Sequence, residues 1–242
     1  QQQSFAELEP ARRKAIAALR RVMLTNATVT GKLLGVKGTA LATARATNRE
    51  IPTAPTMAAI ERYTGVLYGE LDYSSLPAAH KRRSEHQVII FSGLWGLVGA
   101  ADPIPDYKLK MGASLDKLGR MATFWRPHVT AALTERTQGK TVWDLLPNEH
   151  AAAWNPSPDD LHQRISVKFL DDTPVSNSKA AGRKLTAVNH WNKLLKGALV
   201  RHILATQLDD PDGLVEFDHP LGYQYRPDLT TAIDGRTEVS LV

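Results

Sequence analysis

The sequence predicts a mixed α/β fold, in which helices cover a mixed β-sheet. Short apolar runs rich in β-branched residues, typical of buried strands, alternate with longer segments whose apolar residues recur at helical spacing. The 43% hydrophobic and 23% charged content is ordinary for a globular protein. Because no internal repeat or long linker interrupts the pattern, we expect residues 1–242 to form a single compact domain.

The predicted elements follow from this alternation. Glu9-Pro10 begins a helix, because proline is favoured in the first turn. Further helices are expected at 33–47, at 56–71 behind Pro55, at 115–135 and at 191–208. The run Gln-Val-Ile-Ile-Phe at 87–91 indicates a buried strand that ends at Ser92-Gly93. Further strands are expected at 141–145, 165–170 and 184–188.

Composition excludes several classes of site. The chain has no cysteine, so disulfides, thiolate catalysis and cysteine-ligated zinc are excluded. Its eight histidines show no paired metal-ligand spacing, and no metal or other cofactor is expected. The uncharged stretch 87–101 is too short, and too interrupted by glycine, to cross a bilayer. Since no apolar signal core opens the chain, we expect a cytoplasmic protein without a membrane partner.

Charge is unevenly distributed along this chain of net charge +5. Residues 1–50 carry nine Lys/Arg against three Asp/Glu, and residues 171–205 carry six against two. Residues 206–242 carry two against eight. Such polarity favours an anionic partner, nucleic acid or another phosphate-bearing molecule. Solvated charges that merely maintain solubility would give the same pattern.

Residues 33–42 suggest a helix-hairpin-helix element near the N-terminus. Gly35 and Gly38 flank Val36-Lys37 between two helical stretches, where they would permit a tight turn and expose backbone N–H groups to a phosphate. The alternative is an ordinary turn between two helices. Basic residues that could add ionic contacts to DNA phosphates are Lys32, Lys37, Arg45 and Arg49.

Three further segments are candidates for a ligand site. The Ser92-Gly93-Leu-Trp-Gly96 turn follows a predicted strand, where backbone N–H groups and a hydroxyl could meet an anion, although it matches neither a Walker loop nor Gly-x-Ser-x-Gly. Asp102 and Tyr107 could orient that ligand or merely fix a proline-rich loop. The second segment, around Asn148, could supply the carboxylate of Glu149.

The third segment is the predicted C-terminal helix. Lys193 and Lys196 share one of its sides and could hold an anion, or they could form a solvated face. Gly197 costs about 1 kcal/mol relative to alanine inside a helix, which suggests that another group approaches closely there.

In this order, the motifs resemble the YaaA family from about residue 34 to the C-terminus. The stretches that carry the resemblance are Arg62-Tyr-Thr-Gly-Val-Leu-Tyr68, Ser92-Gly-Leu-Trp-Gly96, 102–112, Phe124-Trp125, 144–149, 193–197 with Arg201, and Gly222-Tyr-Gln-Tyr225. The resemblance implies a cytosolic protein of the hydrogen peroxide stress response that limits oxidative damage and intracellular iron. It also implies a compact mixed α/β fold with a helix-hairpin-helix element and a basic cleft that binds double-stranded DNA.

The resemblance places nine residues in the family's characteristic positions: Ser92, Gly93, Gly96, Asp102, Tyr107, Glu149, Lys193, Lys196 and Arg201. The family's opening strand, with its Pro-Ser/Ala-x-x-Lys turn, does not appear in this sequence. We expect that strand to be encoded upstream and to pair with the strand at 87–91. The Leu-Leu-Pro-Asn before Glu149 and the histidine at position 150 also depart from the family pattern.

Two functions remain open at this point. In the first, the protein binds DNA and protects it without catalysis. In the second, it is an enzyme acting on a nucleotide, nucleobase or related small anionic metabolite. Glu149 or Asp102 would then act as general acid or base, beside Ser92, Lys193, Lys196 and Arg201 as ligand-binding groups. The sequence does not indicate an oligomeric state.

Overall fold

The structure, a computed structural model, describes residues 3–174, 183–188, 191–233 and 235–242. The chain divides into two compact units. The first unit comprises Gln1–Tyr63, Arg82–Arg136 and Leu146–Pro156, and the second comprises Thr64–Lys81, Thr137–Leu145 and Ser157–Val242. Helices and strands of a mixed sheet confirm the predicted mixed α/β class. No helix within these ranges is long and apolar enough to cross a membrane.

The helices and strands run in the following order along the chain. The helices are α1 (Glu9–Val22), α2 (Ala27–Leu34), α3 (Gly38–Glu50), α4 (Ala59–Arg62), α5 (Val66–Leu71), α6 (Ala78–Gln87), α7 (Met121–Thr137), α8 (Asn148–Ala151) and α9 (Asn192–Thr206). The strands are β1 (Thr56–Ala58), β2 (Ile89–Ser92), β3 (Gly96–Gly99), β4 (Pro103–Pro105), β5 (Thr141–Asp144), β6 (Gln163–Pro174), β7 (Arg183–Ala187), β8 (Thr231–Ile233) and β9 (Arg236–Leu241).

The first unit packs helices around two short antiparallel strand pairs, β1 with β4 and β2 with β3. Helix α1 has proline in its first turn, as predicted, and buries Leu19 in the core. At the centre of this core lies Trp125 of α7, whose ring is fully buried and whose Nε1 donates to the Gly93 carbonyl. The tryptophan thereby fixes helix α7 against the turn between β2 and β3.

Two predicted helices differ from the observed elements. The segment 33–47 is divided between α2 and α3, because Gly35 adopts a φ of 67° that ends the first helix. The segment 56–71 contains β1, α4 and α5 instead of one helix. Its first residues are extended because Thr56–Ala58 pair with Pro103–Pro105, a contact that local sequence does not encode.

The second unit contains a mixed sheet with strand order β5-β6-β9-β8, and β7 also pairs with β6. Strand β6 lies parallel to β5 and β9 but antiparallel to β7. The predicted strands at 141–145, 165–170 and 184–188 are therefore confirmed, although β6 extends further at both ends. Leu195 and Leu199 of α9 pack in one core cluster with Phe169 of β6.

Helices α5 and α9 approach each other closely at Gly197. A Cβ at this position would overlap the Leu67 carbonyl oxygen and lie 2.9 Å from the Glu70 Cβ. The sequence suggested that another group approaches Gly197 closely. That group is the neighbouring helix α5, chiefly its backbone at Leu67.

Candidate functional site

Helices α2 and α3 meet at a tight glycine turn on the first unit. Asn26 caps the start of α2 by accepting from the Val29 N–H, and Gly35, at φ 67°, ends the helix. Helix α3 begins at Gly38, whose φ is 57°, and the Lys37 side chain does not cap it. A Cβ at Gly38 would meet no atom within 4 Å, so the backbone here borders open space. The start of α3 therefore lies exposed at the surface of the first unit.

The basic residues predicted around this turn have different surroundings. Lys32, Lys37 and Arg49 have exposed side chains. Arg45 instead donates from Nε and Nη2 to the Met23 carbonyl and from Nη2 to the Thr25 carbonyl. Arg45 therefore ties α3 to the end of α1, and a role for it in DNA binding stays a prediction.

A cleft of about 490 Å³ lies beside the glycine turn. All of its lining residues belong to the first unit. They are Lys32, Leu33, Gly35, Lys110, Gly112, Ala113, Arg120, Asn148 and Glu149. We refer to this recess as the hairpin cleft.

Two glycines set the geometry of the hairpin cleft. A Cβ at Gly35 would lie 3.4 Å from Lys110 Nζ, so this ammonium group lies against the turn. The Gly112 N–H donates to Glu149 Oε1. A Cβ at Gly112 would lie 2.5 Å from that oxygen, which is closer than a real Cβ can approach. Gly112 thereby allows its own amide to hold the Glu149 carboxylate.

The hairpin cleft carries unneutralised positive charge. Lys32, Lys110 and Arg120 are exposed, and within the residues that the structure describes none of them forms an ion pair. Among the described residues, Glu149 binds a backbone amide and no cation. Positive charges that are concentrated in a recess create a positive potential, which attracts anions. Nowhere in the described parts of the chain do three His, Asp or Glu residues cluster in a way that could hold a metal ion.

The Ser92 turn is closed by its own hydrogen bonds. Ser92 Oγ accepts from the N–H groups of Leu94 and Trp95 and lies 2.7 Å from the Tyr107 hydroxyl. The Tyr107 hydroxyl also lies 2.7 Å from that of Tyr63. Burial raises the pKa of Tyr63, while its hydrogen bonds to Ser92 and Tyr107 act in the opposite direction. The turn amides expected to meet an anion therefore bind Ser92 itself.

The glycines of this turn are required for packing. A Cβ at Gly93 would lie 2.6 Å from the Leu109 carbonyl oxygen. Gly96 has a φ of 72°, and a Cβ there would lie 2.7 Å from the Trp125 ring. These contacts explain both glycines without a ligand, so an anion-binding role for Ser92, Gly93 and Gly96 stays a prediction.

Asp102 is an internal anchor of the first unit. This residue is 5% exposed, and its carboxylate accepts from the Ser4 N–H, the Ser4 hydroxyl and the Gly99 N–H. Arg12, which is 1% exposed, donates to the carbonyls of Trp95, Leu97 and Ser4. Burial lowers the pKa of Arg12, and the charge of Asp102 opposes that shift. Together these two residues hold the N-terminal segment against β3.

The predicted cations of the C-terminal helix belong to the second unit. Arg201 Nη1 donates to the carbonyls of Leu71 and Asp72, where it satisfies the end of α5. Lys193 is exposed. Burial lowers the pKa of Lys196, and nearby Asp144 partly offsets that effect. Anion binding by these three residues stays a prediction.

The comparisons with known proteins identify the family. Residues 1–229 match the family model described as peroxide stress protein YaaA. The chain belongs to the YaaA family. The resemblance inferred from the ordered motifs is thus confirmed.

Curated relatives of the family carry the name UPF0246 protein. One from Streptomyces coelicolor is 40% identical over 181 residues, which cover 74% of this chain and 66% of that protein. One from Corynebacterium glutamicum is 33% identical over 202 residues, covering 82% and 74%. One from Cereibacter sphaeroides is 30% identical over 175 residues, covering 72% and 65%. The matched part of the chain spans just under two thirds of the length of the first and last of these.

Sequence reasoning missed part of the hairpin cleft. Lys110 and Gly112 lie in the 102–112 stretch that carries the resemblance to YaaA proteins. That resemblance could therefore have marked both residues as candidates for the site. Asn148 stands in a segment that departs from the family pattern. For Arg120, no local pattern distinguished it from any other surface arginine.

Proposed function

We propose that this YaaA-family protein binds double-stranded DNA in the cytoplasm through the hairpin cleft and the adjoining start of α3, as part of protection against peroxide. The observation that carries the proposal is the group of three exposed cations in the cleft beside the glycine turn, which form no ion pair within the described part of the chain. Exposed cations beside open backbone N–H groups suit phosphates and do not require a particular base sequence.

The salt dependence of binding tests this proposal. Log affinity for a duplex should fall linearly with log salt concentration, with a slope of about −0.9 per phosphate contact. Replacing Lys37 by alanine should weaken binding to all sequences about equally and make the slope shallower by about one. Fluorescence anisotropy across a salt series measures both quantities. Lys168→Ala is the control, because that lysine is paired with Glu238 in the second unit.

Two results of this titration would count against the proposal. Affinity that does not depend on salt would exclude phosphate contacts as its source. Equal effects of the Lys37 and Lys168 substitutions would show that the hairpin has no special part in binding.

Replacing Glu149 by glutamine separates the binding function from the enzymatic alternative. Glutamine keeps an oxygen for the Gly112 N–H but removes the cleft's negative charge. We expect DNA affinity to rise about two- to fivefold, as for loss of one exposed like-charge repulsion. If Glu149 were instead a general acid or base, turnover of a nucleotide substrate would fall about 10²–10⁴-fold.

The measurement combines anisotropy titration with product analysis after incubation with nucleotides and nucleosides. Glu135→Gln removes another exposed negative charge of the first unit outside the cleft, so it controls for net charge. Weaker DNA binding by Glu149→Gln, together with lost turnover, would favour the enzyme. Asp102 is a poor candidate for such a step, because its oxygens are buried and already accept hydrogen bonds.

A further inference from the structure

The hairpin cleft has the charge of a site for a doubly charged anion. Its three cations and one carboxylate give a side-chain net charge of two positive units. A phosphodiester inside a DNA strand carries one negative charge, whereas a phosphomonoester carries about 1.5 to 2 near neutral pH. The net charge of the cleft therefore matches that of a terminal phosphate better than that of an internal one.

The volume of the cleft also suits a small ligand. Its volume of about 490 Å³ lies within the range of roughly 300–1,000 Å³ that is usual for small-molecule sites. A single nucleotide fits in such a volume. Leu33 and Ala113 add apolar lining beside the charged groups.

The cleft also offers acceptors for the rest of a nucleotide. Glu149 is held by the Gly112 N–H through Oε1, and its second oxygen has no hydrogen-bond partner in the described residues. Asn148 lies beside it in the lining. A carboxylate oxygen and a carboxamide suit sugar hydroxyls and exocyclic base amines. Lys110 lies against the turn and, with Arg120, suits the phosphate.

We propose that the hairpin cleft binds the phosphomonoester of a single nucleotide. Lys110 and Arg120 hold the phosphate, and Glu149 accepts a hydrogen bond from the sugar or base. Two sources share this chemistry: the 5′-phosphorylated end of a DNA strand and a free mononucleotide. The strand-end source rests on the DNA binding proposed above, whereas the free nucleotide does not need it.

The test compares ligands that differ only in the terminal phosphate. Anisotropy titration uses the same short duplex with 5′-phosphate or 5′-hydroxyl ends, and calorimetry uses deoxyadenosine 5′-monophosphate and deoxyadenosine. If strand ends are the ligand, the phosphorylated duplex should bind about tenfold more tightly, as for one or two added charge-assisted hydrogen bonds. Lys110→Ala and Arg120→Ala should each abolish that difference, and Lys117→Ala, an exposed lysine outside the lining, should preserve it.

Each outcome decides a separate point. Equal binding of both duplexes, with saturable binding of the monophosphate that Lys110→Ala removes, assigns the cleft to free nucleotides. Binding of the monophosphate without any DNA binding upholds this inference and rejects the proposed function. Salt-dependent DNA binding that is indifferent to terminal phosphate, with no binding of the monophosphate, overturns the inference and leaves DNA binding intact.

Discussion

Replacing Asp102 by alanine is expected to lower the free energy of unfolding by about 3–5 kcal/mol, because three donors to a buried carboxylate lose their acceptor. The substitution removes the acceptor of the Ser4 N–H, the Ser4 hydroxyl and the Gly99 N–H. It also removes the carboxylate whose negative charge most strongly offsets the lowering of the Arg12 pKa by burial. A buried arginine without that compensation, and donors without acceptors, are both costly.

Denaturant unfolding followed by tryptophan fluorescence measures this loss. The free energy of unfolding of Asp102→Asn should lie between those of the wild type and Asp102→Ala, because an amide retains one oxygen but cannot satisfy every donor. Asp106→Ala is the matched control, since Asp106 is exposed and, in the part of the chain that the structure describes, accepts only from the neighbouring Tyr107 N–H. A loss below about 1 kcal/mol for Asp102→Ala, within the range of ordinary surface substitutions, would contradict an anchoring role and restore this carboxylate as a functional candidate.

The anchoring role of Asp102 shows what a family motif does and does not reveal. Several motif residues hold the fold together: Gly96 makes room for Trp125, and Arg201 satisfies the end of α5. Such positions tolerate few substitutions because buried backbone and packed rings leave no alternative. Motif membership therefore identified the YaaA family correctly without indicating which of its residues meet a ligand.

The fold was predictable wherever local pattern determines structure. Helix α1, which has a well-defined apolar side, and helix α9 and strands β5 and β7 were expected at nearly their observed positions. Residues 56–58 were wrongly predicted as helical. Their extended conformation depends on pairing with Pro103–Pro105, which lie far along the chain, and no local propensity encodes that contact.

The candidate site, too, was predictable only where it lies within one short stretch of sequence. The glycine turn between α2 and α3 was visible because Gly35 and Gly38 stand close together. The opposite wall of the hairpin cleft was not, because Lys110, Arg120 and Glu149 come from three separate segments. Only the tertiary structure brings those side chains together. The sequence grouped Glu149 with Ser92 in one possible pocket, which stays a prediction, but it did not indicate the hydrogen bond that Glu149 accepts from the Gly112 N–H.

Replacing Gly197 by alanine is expected to destabilise the protein by about 1–2 kcal/mol, even though alanine is the better helix former. The change gains about 1 kcal/mol of helix propensity. It also places a methyl group against the Leu67 carbonyl oxygen and 2.9 Å from the Glu70 Cβ. Neither the carbonyl nor the Cβ can turn away as a long side chain would, so α5 and α9 must separate. Overpacking of this kind commonly costs 1–3 kcal/mol and occasionally more, which outweighs the gain in propensity.

The same unit provides the opposite case in Gly69 of α5. A Cβ there would meet no atom within 4 Å, and the residue lies in a helix with negative φ. Gly69→Ala should therefore raise the free energy of unfolding by about 0.5–1 kcal/mol. In denaturant unfolding, the two variants should change the free energy of unfolding in opposite directions if the contact between α5 and α9 outweighs helix propensity at Gly197. Stabilisation by both substitutions would show that propensity dominates, and that α5 and α9 are not in close contact at Gly197.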